Sequence, residues 1–233
     1  MAQVDWSFLN DGLDINAVDR GVTAGIPRAP GGGTFLYGFN TLTAAEGSVA
    51  LFANLQDFAP MAKGGSIRAC IQRGPSGGPT GFAPYLFLCG QGNSVNDSAY
   101  LLGLSDDDPH RVALRKGAIA GGIRDADGPG VLLKSAASFA QGTWLHLRLD
   151  VIVNLNGDVL LNVFSNDLGL HPLGSPPAWQ PLAGMVEFID DQLGINSGSQ
   201  PLTSGRAGFG MATRDVTRRS FFDQIELFRQ TTP

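Results

Sequence analysis

Short runs of alternating or wholly apolar residues, each closed by Gly, Pro, Asn or Asp, recur along this chain from residue 34 onward. Thr34–Asn40, Ser48–Asn54, Ser66–Arg73, Pro84–Cys89, Tyr100–Leu104, Arg111–Arg115 and Val131–Lys134 are each too short for a stable helix and carry the β-branched and aromatic residues of strands. The clearest pattern lies further on. Trp144, His146 and Arg148 alternate with Leu145, Leu147 and Leu149, so one face of a strand is polar and the other apolar. That strand runs into Asn154-Leu155-Asn156-Gly157 and out through Asp158–Phe164, and Asn156-Gly157 predicts a hairpin with a type I′ turn. Gly205–Ala212 and Ser220–Phe228 predict two closing strands. One segment departs from the β rhythm. Leu182, Met185, Val186, Ile189 and Leu193 recur at helical spacing, which predicts a short helix over 182–193 with Glu187, Asp190 and Asp191 toward solvent.

The expected architecture is therefore all-β, a single sandwich domain over residues 34–233, preceded by residues 1–33 as an arm or edge strand. Trp6, Phe8 and Leu9 suggest an anchoring strand in that arm, before a Gly/Pro-rich stretch ending at Gly31-Gly32-Gly33. Gly74–Gly81 and Asp125–Gly130 read as loops. With 233 residues, 43% of them hydrophobic, the chain can bury a full core without division into domains.

Charge and cysteine content narrow the partners. A net charge of −5 gives no basic footprint for a phosphate backbone, which disfavours nucleic acid. No apolar run reaches the roughly 18 residues that cross a bilayer as a helix. Met1–Trp6 carries neither a basic nor an apolar leader, so a cytoplasmic product, or one released by lysis, is expected. Cys70 and Cys89 sit in strand runs and read as buried free thiols, with a disulfide as the alternative. Lys63, Lys116 and Lys134 are outnumbered by the arginines, a bias that suits subunit interfaces and equally reflects base composition.

The ordered set Trp144–Leu149, the Asn-Gly hairpin, Gly205–Gly210 and Phe222–Leu227 resembles the concanavalin A-like lectin/glucanase superfamily. The resemblance implies a two-sheet antiparallel jelly-roll sandwich. The chain is also similar to uncharacterised structural proteins of tailed bacteriophages, through Phe39-Asn40, Phe58–Ser66, Tyr100–His110 and Asp215–Arg219. That similarity implies a non-enzymatic virion component, a capsid decoration or tail-associated protein assembled in the host cytoplasm as a homo-oligomer with other virion proteins. The alternative is a glycan-binding module that adheres to a surface polysaccharide.

Candidate chemistry is sparse. Glucanases of this superfamily carry spaced carboxylates on one strand, but here Ile189 stands between Glu187 and Asp191, so no catalytic residue is assigned. Asp125-Ala126-Asp127-Gly128 begins like a calcium loop, yet Pro129 and Ala136 occupy later ligand positions. Asp106-Asp107-Asp108 reads as a turn, and His110, His146 and His171 have no ligand spacing, so neither a metal nor another cofactor is expected. Trp144, His146 and Arg148 share a strand face that suits a sugar, a ring stacking on C–H groups while His and Arg bond hydroxyls; Trp179 is a second candidate ring. Arg214, Arg218 and Arg219 are candidate subunit contacts.

Overall fold

Among the described residues, fifteen strands account for nearly all the regular structure: β1 Trp6–Asp11, β2 Val18–Val22, β3 Leu36–Thr41, β4 Gly47–Ala53, β5 Gly64–Arg73, β6 Phe82–Gly90, β7 Ser98–Leu104, β8 His110–Ala118, β9 Val131–Phe139, β10 Trp144–Val153, β11 Val159–Asn166, β12 Gln180–Pro181, β13 Phe188–Asp190, β14 Arg206–Thr213 and β15 Arg219–Arg229. The computed structural model describes residues 6–11, 18–22, 36–41, 47–53, 64–73, 82–92, 96–106, 109–166, 178–213 and 219–229, with the strands before residue 64 described as backbone alone. The strands form two antiparallel sheets, a jelly-roll sandwich. A seven-stranded sheet runs β1-β4-β14-β6-β7-β8-β9, and an eight-stranded one runs β12-β11-β10-β5-β15-β3-β2 with β13 also on the edge of β11. Thus β1 and β2, both within residues 1–33, each supply an edge strand to a different sheet.

The two sheets bury different sequence patterns. In β10, Leu147, Leu149 and Val151 point inward and are buried, meeting Leu86, Leu88, Tyr100, Leu102 and Leu114 of the facing sheet. Phe209 of β14 and Phe222 of β15 meet between the sheets at 4.9 Å between ring centroids. The runs Tyr85–Leu88 and Tyr100–Leu102 are apolar without alternation because this sheet is covered on both faces. Its outer face holds a second core of Tyr85, Phe87, Ala99, Leu101 and Ala113 under Ile119 and Ile123. A 3-10 turn at Ile119–Gly121 lays that cover down. Arg115 pins it by donating to the carbonyls of Ala118 at 3.0 Å, Gly122 at 3.1 Å and Pro129 at 3.1 Å.

The helix expected over 182–193 does not form. Leu182 N–H donates to Val163 O, Val163 N–H donates to Met185 O, and β13 then pairs with β11 at Val159–Leu161. Gly184 and Glu187 take positive φ of 86° and 58°, which no α-helix accommodates. The free edge of β11 presents donors and acceptors that this segment satisfies, and edge pairing outweighs an apolar stripe with no surface to pack against. The stripe is split accordingly: Met185 is buried, while Ile189 and Leu193 are exposed.

The hairpin forms where expected, with a different turn. Asn154 N–H donates to Asp158 O and Gly157 N–H donates to Asn154 O, and of the loop residues Gly157 alone has positive φ, at 88°. This is a three-residue loop closed by a left-handed glycine, in place of the two-residue type I′ turn. Cys70 and Cys89 are free and buried, in different sheets.

Candidate functional site

The outer face of the eight-stranded sheet gathers the polar and aromatic residues that the core does not use. Antiparallel register sets Arg148 of β10 opposite Arg68 of β5 and Phe164 of β11, and His146 opposite Cys70 and Asn166. Strand β12 pairs Pro181 with Phe164 and Gln180 with Ser165, which brings the preceding Trp179 level with His146. The Trp179 ring meets His146 edge-on at 4.5 Å. The guanidinium carbons of Arg148 and Arg68 lie 5.5 and 5.7 Å from the centroid of the Trp179 ring. Arg148 also lies over Phe164 at 4.4 Å, and Arg68 over Phe228 at 4.9 Å. The guanidinium groups are thus sandwiched among three aromatic rings, a contact favourable for a planar, weakly hydrated cation.

Each arginine is also paired with a carboxylate. Arg148 grips Asp150 through Nε to Oδ1 at 2.8 Å and Nη2 to Oδ2 at 2.5 Å, and Ser66 Oγ donates to the same carboxylate at 2.6 Å. Arg68 donates through Nε to Glu226 Oε2 at 2.7 Å, and its Nη2 reaches the same oxygen. Glu226 owes its place to an irregularity in β15. Asp223 pairs with Cys70, but Glu226 pairs with Arg68, so three steps on β15 match two on β5. Gln224 absorbs the extra residue at a φ of 52°, and its N–H donates to the side chain of Asp223. Without that bulge the alternation would turn Glu226 and Phe228 inward and Leu227 outward. With it, Leu227 packs on the core and Phe228 stays 45% exposed.

Three of the expected sugar-contact residues, His146, Arg148 and Trp179, therefore converge. Trp144 does not join them: it stands opposite Gln72, further along β10, and makes no ring contact among the described residues. Arg68, Glu226, Asp150, Phe164 and Phe228 belong to the same face and escaped the sequence reading. The cross-strand register that joins them is not encoded in any local spacing. Arg214 and Arg218 lie outside the described residues, as do His171, Asp107, Asp108 and the loop 74–81; Arg219 opens β15, its side chain undescribed.

Of the remaining acidic candidates, Asp190, Asp191, Asp125 and Asp127 are committed to other partners. Asp190 is fully buried, accepting from Tyr100 Oη at 2.5 Å and Lys116 Nζ at 2.7 Å, with Ser197 Oγ on its other oxygen. Lys116 further donates to Ser199 O at 2.9 Å, so this buried ion pair ties the loop after β13 across the open edge of the sandwich. Asp191 Oδ1 accepts from Ile195 N–H within that loop. Glu187 is exposed, and its N–H donates to Asn162. Asp125 Oδ1 accepts from Asp127 N–H at 2.7 Å, and Asp127 pairs with Lys134, an Asx turn rather than an open calcium loop. The Lys134 ammonium holds the Asp127 carboxyl below its usual range. Among the described residues no three His, Cys, Asp or Glu side chains group as metal ligands.

The architecture and this face define the class: a two-sheet jelly-roll sandwich with an aromatic–arginine platform on one outer face. No protein-family model and no curated protein matches the chain. Similar solved structures include the carbohydrate-binding module CBM66 from Bacillus subtilis, at 9% identity and TM-score 0.44, over 82% of this chain and 86% of that one. A legume lectin-like domain from Entamoeba histolytica has 9% identity and TM-score 0.45, over 99% and 100% of the two chains. The PL-14 alginate lyase from Aplysia kurodai has 10% identity and TM-score 0.47, over 94% and 88%. These likenesses assign no ligand or activity to this chain.

Proposed function

We propose that this protein is a non-enzymatic glycan-binding module whose binding face is the Trp179 platform on the eight-stranded sheet. One observation carries the reading: an indole laid over a cross-strand arginine pair, its edge against His146, outside either hydrophobic core. A half-buried indole in that position offers C–H stacking to a pyranose while neighbouring guanidinium and imidazole groups reach its hydroxyls. We propose the virion as the setting, resting on the resemblance read in Phe39-Asn40, Phe58–Ser66, Tyr100–His110 and Asp215–Arg219 alone. There such a face would serve adhesion to surface polysaccharide, with Arg214, Arg218 and Arg219 as proposed subunit contacts.

The test is a glycan array followed by calorimetric titration. Saturable binding is expected, and Trp179→Ala should weaken it by about 2 kcal/mol, roughly thirtyfold, with the fold retained. Trp144→Ala should change affinity far less. No binding to neutral or acidic glycans, or binding indifferent to Trp179→Ala, overturns the reading. For the setting, light scattering at several concentrations should show a defined oligomer stable on dilution. A strict monomer that associates with no virion component removes the structural part of the proposal.

A further inference from the structure

Each of the two ion pairs beside Trp179 is neutral in itself. Arg68 and Arg148 bring two positive charges, and Glu226 and Asp150 bring two negative ones, all on the same sheet face. The edge of each guanidinium that grips a carboxylate in two-point fashion, Nε with Nη2, is already occupied. What stays open is the far nitrogen of each. Nη1 of Arg68 and Nη1 of Arg148 make no hydrogen bond with a described residue, and neither does Glu226 Oε1. The platform therefore offers single-nitrogen donors beside a carboxylate acceptor, next to an indole. Two arginines directly opposite on adjacent strands repel each other, a local cost that folding alone does not require. Their retention on the half-buried outer face of the sheet, each held by its own acid, fits a site built for a ligand.

On the reading that this face binds glycan, we infer that its ligand is a neutral, polyhydroxylated sugar chain and not a uronate- or sulfate-bearing one. A pair of adjacent ring hydroxyls accepts from an Nη1–H and donates to Glu226 Oε1, a pattern that needs both a donor and an acceptor side by side. An acidic sugar would find the two-point edge of each arginine taken and would meet two carboxylates. Glu226 is thus a specificity-determining residue, and the bulge at Gln224 is what delivers it to the face.

The experiment titrates the full chain with neutral gluco-, manno- and galacto-oligosaccharides and with an oligogalacturonate of matched length. The neutral chains should bind about tenfold tighter or more, and affinity should change less than about twofold between about 0.05 and about 0.5 M salt, since no net charge is screened. Glu226→Gln, at a side chain only partly buried, keeps the shape and leaves Arg68 uncompensated. It should weaken neutral binding roughly fivefold and add oligogalacturonate binding that salt abolishes. Salt-sensitive preference for oligogalacturonate in the unmodified chain overturns the inference while leaving the glycan reading standing. Neutral binding untouched by Glu226→Gln overturns the role given to that residue. Failure of every glycan to bind overturns the glycan reading itself.

Discussion

Gly103 shows how a single side-chain hydrogen can decide a sheet. A Cβ there would lie 2.2 Å from the carbonyl oxygen of Pro84 and 2.7 Å from Cα of Tyr85, its cross-strand partner. Neither atom is the movable end of a side chain, so Gly103→Ala should destabilise by about 3 kcal/mol, read from urea unfolding. Gln224 is the opposite case, a residue with a Cβ held at a φ of 52° because the bulge demands it. Gln224→Gly should fold with stability within about 0.5 kcal/mol of the parent, whereas Gln224→Val should lose about 2 kcal/mol, since a branched Cβ resists the left-handed region. Loss of glycan affinity in the Val variant beyond its loss of stability would tie the bulge to the platform.

Elements here are placed by what they must satisfy. The segment 182–193 abandons its helical stripe for the open edge of β11, and the payoff is visible in Asp190, which β13 drives into the interior beside Tyr100 and Lys116. Burial and the hydrogen bond to Asp190 push the Tyr100 hydroxyl well above its ordinary pKa, so it stays a donor. Lys116→Met should cost about 3–5 kcal/mol, because it strands a buried carboxylate rather than because the pair is intrinsically strong. Adding Asp190→Asn to that variant should recover part of the loss in a denaturation midpoint. If the double variant were no better than the single one, the ion pair would have to be credited with stability of its own. The acids expected on a solvated helix face thus divide: Asp190 is buried, Asp191 half-buried and Glu187 exposed.

At the scale of the whole molecule, three buried groups share a direction. Burial raises the thiol of Cys89 from 9.0 to about 12, and it raises Cys70 and the Tyr100 hydroxyl further. The unfolded chain would release these protons at ordinary pKa values while the folded chain keeps them. The unfolded state then binds fewer protons, so stability falls as pH rises past 9.0 toward 12, by up to about 1.4 kcal/mol per pH unit for each group. Thermal unfolding measured across that range should show the midpoint dropping steadily; a flat profile would contradict the burial. In the folded chain both thiols should resist a disulfide reagent at neutral pH and react fully once unfolded, as buried protonated thiols do.

The amino-acid pattern by itself determined that this is a β protein. Alternating leucines in β10, unbroken apolar runs in β6 and β7, and punctuation by Gly and Pro are local signals, and local signals suffice for strands and hairpins. It also marked His146 and Arg148 as outward-facing, because that follows from a period of two. The tertiary structure alone decided the rest. Trp179 joins them only because β12 pairs with β11, and Arg68 only because β5 lies beside β10. Glu226 arrives only through a one-residue bulge. The helical stripe at 182–193 was a true local periodicity that lost to an unpaired strand edge. Register, bulges and edge pairing depend on residues far apart in sequence, and the free energy that settles them exists only once those residues meet.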